Sequence, residues 1–261
     1  MVITTLLENT SCREDLSCEH GLSLYIEACG KRILFDAGQS DLFARNAQAL
    51  GIDLGEVDAA VLSHGHYDHG GGLPAFFEHN GHAPVYLRRD ALGGQYNAKD
   101  AYIGLPEPVK DSGRLVFAAD GEQIAPGLTL YGPARGVHPI DSAGLTRLEE
   151  GEKTPDLFLH EQYLLIEEAG KRVLISGCSH RGIRNIARQF GADVLIGGFH
   201  FMKLDPMGAG RAVLEEAARD LMALPTVYYT GHCTGQAAFD FLKERMGDRL
   251  NGISTGTILE L

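Results

Sequence analysis

Short apolar runs, four to seven residues long and bounded by Gly, Asn or Asp, alternate along this chain with longer stretches of helical spacing. Val2–Leu7, Leu22–Ala28 and Lys31–Phe35 read as strands, and Leu42–Leu50 as a helix with Asp41 near its start. The run Val57–Leu62 reads as a buried strand, followed by a helix over Pro74–His79 and a strand at Val85–Leu87. Periodicity fails from residue 91 to 113, where Gly93, Gly94, Asn97, Gly104, Pro106 and Pro108 predict a long irregular loop. Strands resume at Leu115–Ala118 and Leu128–Tyr131, and a second irregular stretch covers residues 132–158. Beyond it the pattern predicts a hairpin, Tyr163–Glu167 with Arg172–Ile175, then a helix at Ile183–Phe190 and a strand at Val194–Ile196. A helix over Gly210–Leu224, a strand at Thr226–Tyr229, a helix over Gln236–Met246 and a strand near Thr257–Leu261 complete the order. Such alternation is that of an α/β protein. No change of composition marks a linker, so one domain over residues 1–261 is expected.

Composition narrows the function classes. With 44% hydrophobic residues in 261, the chain can bury a large core. A formal charge of −12, with basic residues scattered and no block among them, argues against a nucleic-acid partner. Five cysteines without a regular framework do not suggest a disulfide-stapled secreted protein. The start of the chain lacks the basic and apolar parts of a signal peptide, and no apolar run reaches membrane-spanning length. A cytoplasmic protein is expected, with a small-molecule substrate, no membrane and no nucleic acid as partner.

The chemistry concentrates in Ser63-His64-Gly65-His66-Tyr67-Asp68-His69-Gly70-Gly71-Gly72, directly after the strand at Val57–Leu62. Three imidazoles and a carboxylate within six residues are the ligand types that zinc prefers. His64 and His66, two residues apart, can converge on one ion from an irregular turn, which leaves Asp68 and His69 to reach a second ion. A faint repeat accompanies this: residues 60–66 and 173–180 both run from a strand into a ligand-rich turn before a helix.

These residues resemble the motifs of the metallo-β-lactamase superfamily. Arg32-Ile33-Leu34-Phe35-Asp36-Ala37-Gly38 is similar to its first motif, whose Asp orients the histidine loop. Residues 173–178, ending in Cys178, and residues 226–232, ending in His232, resemble its fourth and fifth motifs. Gly177-Cys178-Ser179-His180-Arg181-Gly182, Gly197-Gly198-Phe199-His200 and Gly231-His232-Cys233-Thr234-Gly235 resemble a narrower subgroup. That subgroup comprises metal-dependent hydrolases similar to dihydropterin–ribofuranosylaminobenzene 5'-phosphate synthase. The resemblance implies an αββα sandwich with both ligand-rich turns at one rim.

It also implies a ligand set: His64 and His66 on a first ion, Asp68, His69 and His232 on a second. Cys178 falls where most hydrolytic members have a bridging Asp and some lactamases a Cys. It is either a thiolate ligand, which would favour zinc, or a small buried thiol. The third histidine of the first ion is left between His180, in the subgroup's Gly-Cys-Ser-His turn, and His160, eighteen residues before Cys178. His200 and His138 are expected to face substrate, as is His160 if it is not a ligand, and Arg181 or Arg135 to supply charge to it. Tyr96, Tyr102, Phe199 and Phe201 are candidates for stacking, whereas His20, His79 and His82 sit in polar loops and are expected to have no role.

The function so implied is a hydrolase with two divalent ions, zinc first and manganese or iron as alternatives. A metal-activated hydroxide would attack a small ester, lactone or phosphoester, with Asp68 as ligand and proton acceptor. The substrate, possibly phosphorylated in such a subgroup, would be selected by the two irregular segments. A transferase condensing a pterin methyl diphosphate with a phosphoribosyl arylamine is the alternative. A di-iron redox or sensing protein ranks last, because that branch has Glu where His66 stands.

Overall fold

A computed structural model describes residues 1–140 and 143–261. Two seven-stranded sheets face each other. The first runs in the order Ile258–Glu260, Val2–Leu7, Ser23–Ala28, Lys31–Phe35, Ala59–Val61, Val85–Leu87 and Leu115–Phe117. The second runs Leu250–Gly252, Val227–Thr230, Val194–Ile196, Lys171–Ile175, Tyr163–Glu168, Leu128–Tyr131 and Glu122–Ala125. In each sheet the antiparallel strands lie toward one end and four parallel strands toward the other.

Strand alternation explains the layering. In Lys31–Phe35, Ile33 and Phe35 point between the sheets while Leu34 points to the helices outside. Val173 and Ile175 in the second sheet do the same, with Leu174 turned outward. Strands covered on both faces need apolar residues at every position, which is why they read as unbroken apolar runs. Leu42–Ala49 and Leu73–His79 cover the outer face of the first sheet through Phe43, Ala47, Leu73 and Phe76. Ile183–Phe190, Arg211–Met222 and Gln236–Met246 cover the second through Ile186, Leu214, Leu221 and Leu242. Each such Leu, Ile or Phe contributes about 1.5–3 kcal/mol by leaving water. The αββα sandwich is therefore the architecture of the chain. Among the described residues no helix is long and apolar enough to cross a membrane.

The two segments expected to be irregular are in part regular. Gln95–Tyr96, Thr146–Glu149 and Glu152–Pro155 form a third, three-stranded sheet, and Glu107–Lys110 is a short helix. The hairpin Thr-Arg-Leu-Glu/Glu-Lys-Thr-Pro is polar on both faces, so no apolar alternation announces it. Glu122–Ala125, an edge strand absent from the sequence reading, is too short to show alternation, with only Ile124 and Ala125 packed on the core. Residues 141 and 142, within the second irregular stretch, lie outside the described residues.

Candidate metal centre

Strands Ala59–Val61 and Lys171–Ile175 end at the same rim of the sandwich, where each releases a turn carrying ligand-type side chains. The turn after Ala59–Val61 is pressed against the next segment. A Cβ at Gly65 would collide with the backbone of Ala91, so only glycine fits between His64 and His66. Asp36, in the left-handed region at φ 58°, sits beneath the turn. Its carboxylate accepts from Ser63 N at 2.7 Å, from Ser63 Oγ at 2.7 Å and from His69 Nδ1 at 2.6 Å.

These hydrogen bonds fix the tautomers. A carboxylate only accepts, so His69 carries its proton on Nδ1 and turns the lone pair of Nε2 inward. Ser63 Oγ donates to Asp36 and so accepts from His64 Nδ1 at 2.8 Å, which leaves His64 Nε2 bare as well. His232 Nδ1 lies 2.9 Å from Asn9 Oδ1, whose amide nitrogen is placed by donating to the His232 carbonyl. Its Nε2 too is bare. The inward nitrogens crowd together: His69 Nε2 is 3.2 Å from His232 Nε2 and 3.1 Å from Cys178 Sγ, and His64 Nε2 is 3.3 Å from Nε2 of His180, whose Nδ1 has no hydrogen-bond partner among the described residues. Asp68 Oδ2 lies 3.4 Å from His232 Nε2 and 3.9 Å from His69 Nε2. Converging lone pairs and a carboxylate repel one another unless a cation lies between them. For a tetrahedral ion bound at about 2.0–2.1 Å, ligand atoms stand roughly 3.3 Å apart, close to these spacings.

Among the described residues four groups of ligand atoms result: His64–Cys178–His180 and His69–Cys178–His232, with Cys178 common to both, then His20–Asp68–His232 and His66–Asp156–His160. His66 lies beside the first, its ring 4.5 Å from that of His64 and 4.9 Å from that of His180. Among the described residues His66 Nε2 is buried without a hydrogen-bond partner, as a nitrogen reserved for an ion would be. Burial lowers the pKa of His66 to about 3 and holds His64 and His180 well below the usual imidazole range. Burial opposes a charge on His69 also, yet Asp36 and Asp68 carry its pKa up to about 9. Cys178 is pushed well up by burial, then by Cys233.

The turn holding His180 depends on Glu161, which is fully buried and accepts from His180 N at 2.6 Å, Arg181 N at 2.9 Å and Tyr163 Oη at 2.7 Å. Phe158 stacks on the His180 ring at 4.3 Å. Four residues here, Asp36, Ser179, His200 and His232, have positive φ without being glycine, a strain of order 1–3 kcal/mol each that clusters where function does.

Several expectations need correction. His160 is fully buried; its Nδ1 accepts from Gly65 N at 3.0 Å and its Nε2 meets Asp156 at 3.0 Å, which leaves neither nitrogen for substrate. The Arg181 guanidinium is occupied by the carbonyls of Ala134 and Leu157, as a brace rather than a free charge. Tyr96 and Tyr102 pack on each other, with Lys153 over Tyr96. His20, expected to have no role, stands at the rim with Nε2 3.2 Å from Asp68 Oδ2. Sequence reasoning also missed Asn9 and Glu161. They lie far along the chain from the residues they orient, and no local spacing marks them. His200 packs its ring 4.2 Å from that of His180 and, with His138, Phe199, Phe201 and Lys203, lines a cavity of about 240 Å³ beside it.

Comparison with known proteins agrees with this architecture. The chain matches the metallo-beta-lactamase superfamily over residues 16–226, and it belongs to that family. It is 31% identical over 257 residues to an uncharacterized protein of Methanocaldococcus jannaschii, MJ0448, covering 93% of this chain and 94% of the other. From the same organism, 7,8-dihydropterin-6-methyl-4-(beta-D-ribofuranosyl)-aminobenzene-5'-phosphate synthase is 28% identical, covering 93% and 90%. Among solved structures, Tm1679, described as a metal-dependent hydrolase of the beta-lactamase superfamily, superposes with a TM-score of 0.86 at 31% identity. That match covers 100% of this chain and 99% of that one.

Proposed function

We propose that this protein is a metal-dependent hydrolase using two ions, zinc foremost, and acting on a small ester, lactone or phosphoester. The observation that carries the reading is the convergence of inward-facing ligand atoms, with His69 Nε2 3.2 Å from His232 Nε2 and 3.1 Å from Cys178 Sγ, and His64 Nε2 3.3 Å from His180 Nε2. Imidazole nitrogens turned inward, those of His64, His69 and His232 oriented by a partner on the outer nitrogen, fit divalent ions of borderline softness, and a shared thiolate would favour zinc over magnesium or manganese. His64, His66 and His180 would hold the first ion, and Asp68, His69 and His232 the second, with Cys178 between them. Ions bound there supply Lewis acidity toward a carbonyl or phosphoryl oxygen and acidify water.

The side chains supply the rest. Asp36 keeps His69 and, through Ser63, His64 turned inward. Asp68, with His20, His232 and His69 within 3.9 Å of its Oδ2, would accept the proton of an attacking water. The cavity beside His180 admits a small substrate between Phe201 and Lys203, whose ammonium suits an anionic group. The named relationship to a pterin synthase supports a second reading, in which an arylamine replaces water as the attacking group.

The test is metal analysis of protein purified without chelators, followed by turnover of phosphodiester, phosphomonoester, lactone and pterin diphosphate substrates. Two equivalents of metal and hydrolysis of one of the first three are expected. Release of diphosphate only when an arylamine is present would assign the transferase instead.

A further inference from the structure

We propose that His20 is an additional ligand of the second ion, closing it from the solvent side; this rests on the two-ion reading above. His20 Nε2 lies 3.2 Å from Asp68 Oδ2, and His232 Nε2 lies 3.4 Å from the same oxygen. The three ligand atoms fall within 4.8 Å of one another, and the two imidazole rings are 4.7 Å apart. Asp68 Oδ2 is thus shared between an inner pair, His69 and His232, and an outer histidine with its side chain 38% exposed.

The loop holds His20 there through its neighbours. Glu19 accepts from Ser40 Oγ at 2.6 Å on one side. Gly21 N donates to Asn9 Oδ1 at 3.2 Å on the other, and that oxygen also meets His232 Nδ1. Leu22 N donates to the Asp68 carbonyl at 3.3 Å. Gly21, at φ 150°, lets the chain approach that carbonyl, because a Cβ would come within 2.6 Å of it. One amide, Asn9, therefore sets the position of both the loop bearing His20 and the ring of His232. A loop built only to cover the rim has no need to register an imidazole against a ligand oxygen in this way. With His20 bound, the second ion has three imidazoles, a carboxylate and the shared Cys178 around it, and little room for an exchangeable position. The exchangeable position, and with it the substrate oxygen, then falls to the first ion, next to the cavity lined by His180 and His200.

The experiment is cobalt(II) titration of the full chain, followed by calorimetry and visible absorption, for the wild type, His20→Ala and His20→Gln. His20 is partly exposed on a loop, so both variants retain the fold. Loss of the groups that merely orient a ligand weakens metal binding by about 10- to 100-fold, and loss of a ligand weakens it no less. Both variants are expected to weaken the second cobalt equivalent at least about tenfold and to change its absorption bands, with the first equivalent unaltered. Wild-type affinity and bands in both variants would overturn the assignment. Recovery of both by Gln alone would overturn it too, making His20 a hydrogen-bond partner of Asp68. A wild type that takes up a single ion would show, before any variant is compared, that the two-ion reading has failed and this inference with it.

Discussion

The two candidate ion positions share Cys178, yet His69 of the second differs electrostatically from the histidines of the first. His64, His66 and His180 stand among other imidazoles and the Phe158 ring, and burial keeps all three neutral, His66 with a pKa of about 3. His69 is as deeply buried, yet it lies against Asp36 and Asp68 and its pKa rises to about 9. Burial alone therefore does not set the charge of a buried histidine: two carboxylates outweigh it at His69, whereas at His232 burial prevails over the single Asp68. The histidines of the first position are neutral imidazoles, whereas at His69 a proton would compete with an ion.

The largest effect expected from breaking this pair of sites comes from the first. His66→Ala or His180→Ala should remove the first ion and take turnover to background, because a three-histidine set loses one member. His160→Ala should keep that ion and lower the melting temperature, since Asp156 loses its buried partner. Metal analysis of the three variants side by side checks this. Retention of the ion in His180→Ala with its loss in His160→Ala would redraw the first site around His160.

Asp68→Asn keeps shape and removes basicity, so kcat should fall on the order of a hundredfold if Asp68 accepts the proton. Near-normal kcat across the whole pH range would assign that role to another group. Asn9→Ala reaches only the second position, by freeing the His232 ring, and should weaken the second equivalent roughly tenfold while sparing the first. An equal loss at both would show that the two positions do not take their support separately.

The smallest effect is in pH dependence. A folded-state pKa raised from 6.5 to about 9 stabilises the metal-free fold fully below about pH 6.5, and this contribution is lost as pH rises through 9. Metal binding needs the bare nitrogen and runs the other way. Affinity for the second equivalent should rise more steeply with pH between 7 and 9 than affinity for the first, because His69 must give up a proton in addition to any that Cys178 releases. Calorimetry in buffers of different ionisation enthalpy counts the proton released, and parallel pH dependence of the two equivalents would remove the contrast.

The layers and the turns that carry the candidate ligands were legible in the sequence for a common reason. Strands buried on both faces write continuous apolar runs, such as Ile33-Leu34-Phe35 and Val173-Leu174-Ile175, and each ligand turn follows such a run directly. What escaped is what tertiary structure assembles. Asn9 orients His232 across more than two hundred residues, Glu161 ties down the turn at His180, and His20 meets Asp68 only because the Asn9 side chain fixes the chain beside it. The hairpin at residues 146–155 escaped because it faces water on both sides, so its pairing leaves no alternation to read. His160, whose distance from Cys178 resembles that of a ligand, has its nitrogens engaged by Gly65 and Asp156 in this fold, a pairing that spacing along the chain does not announce.

Crystals of zinc-loaded protein, with anomalous diffraction measured on either side of the zinc edge, test the central claim most directly. Two peaks should appear at the rim, one within bonding distance of His64, His66 and His180, the other of Asp68, His69 and His232, with Cys178 Sγ between them. A single peak, or two that leave the His64–His180 or the His69–His232 pair without metal, would contradict it.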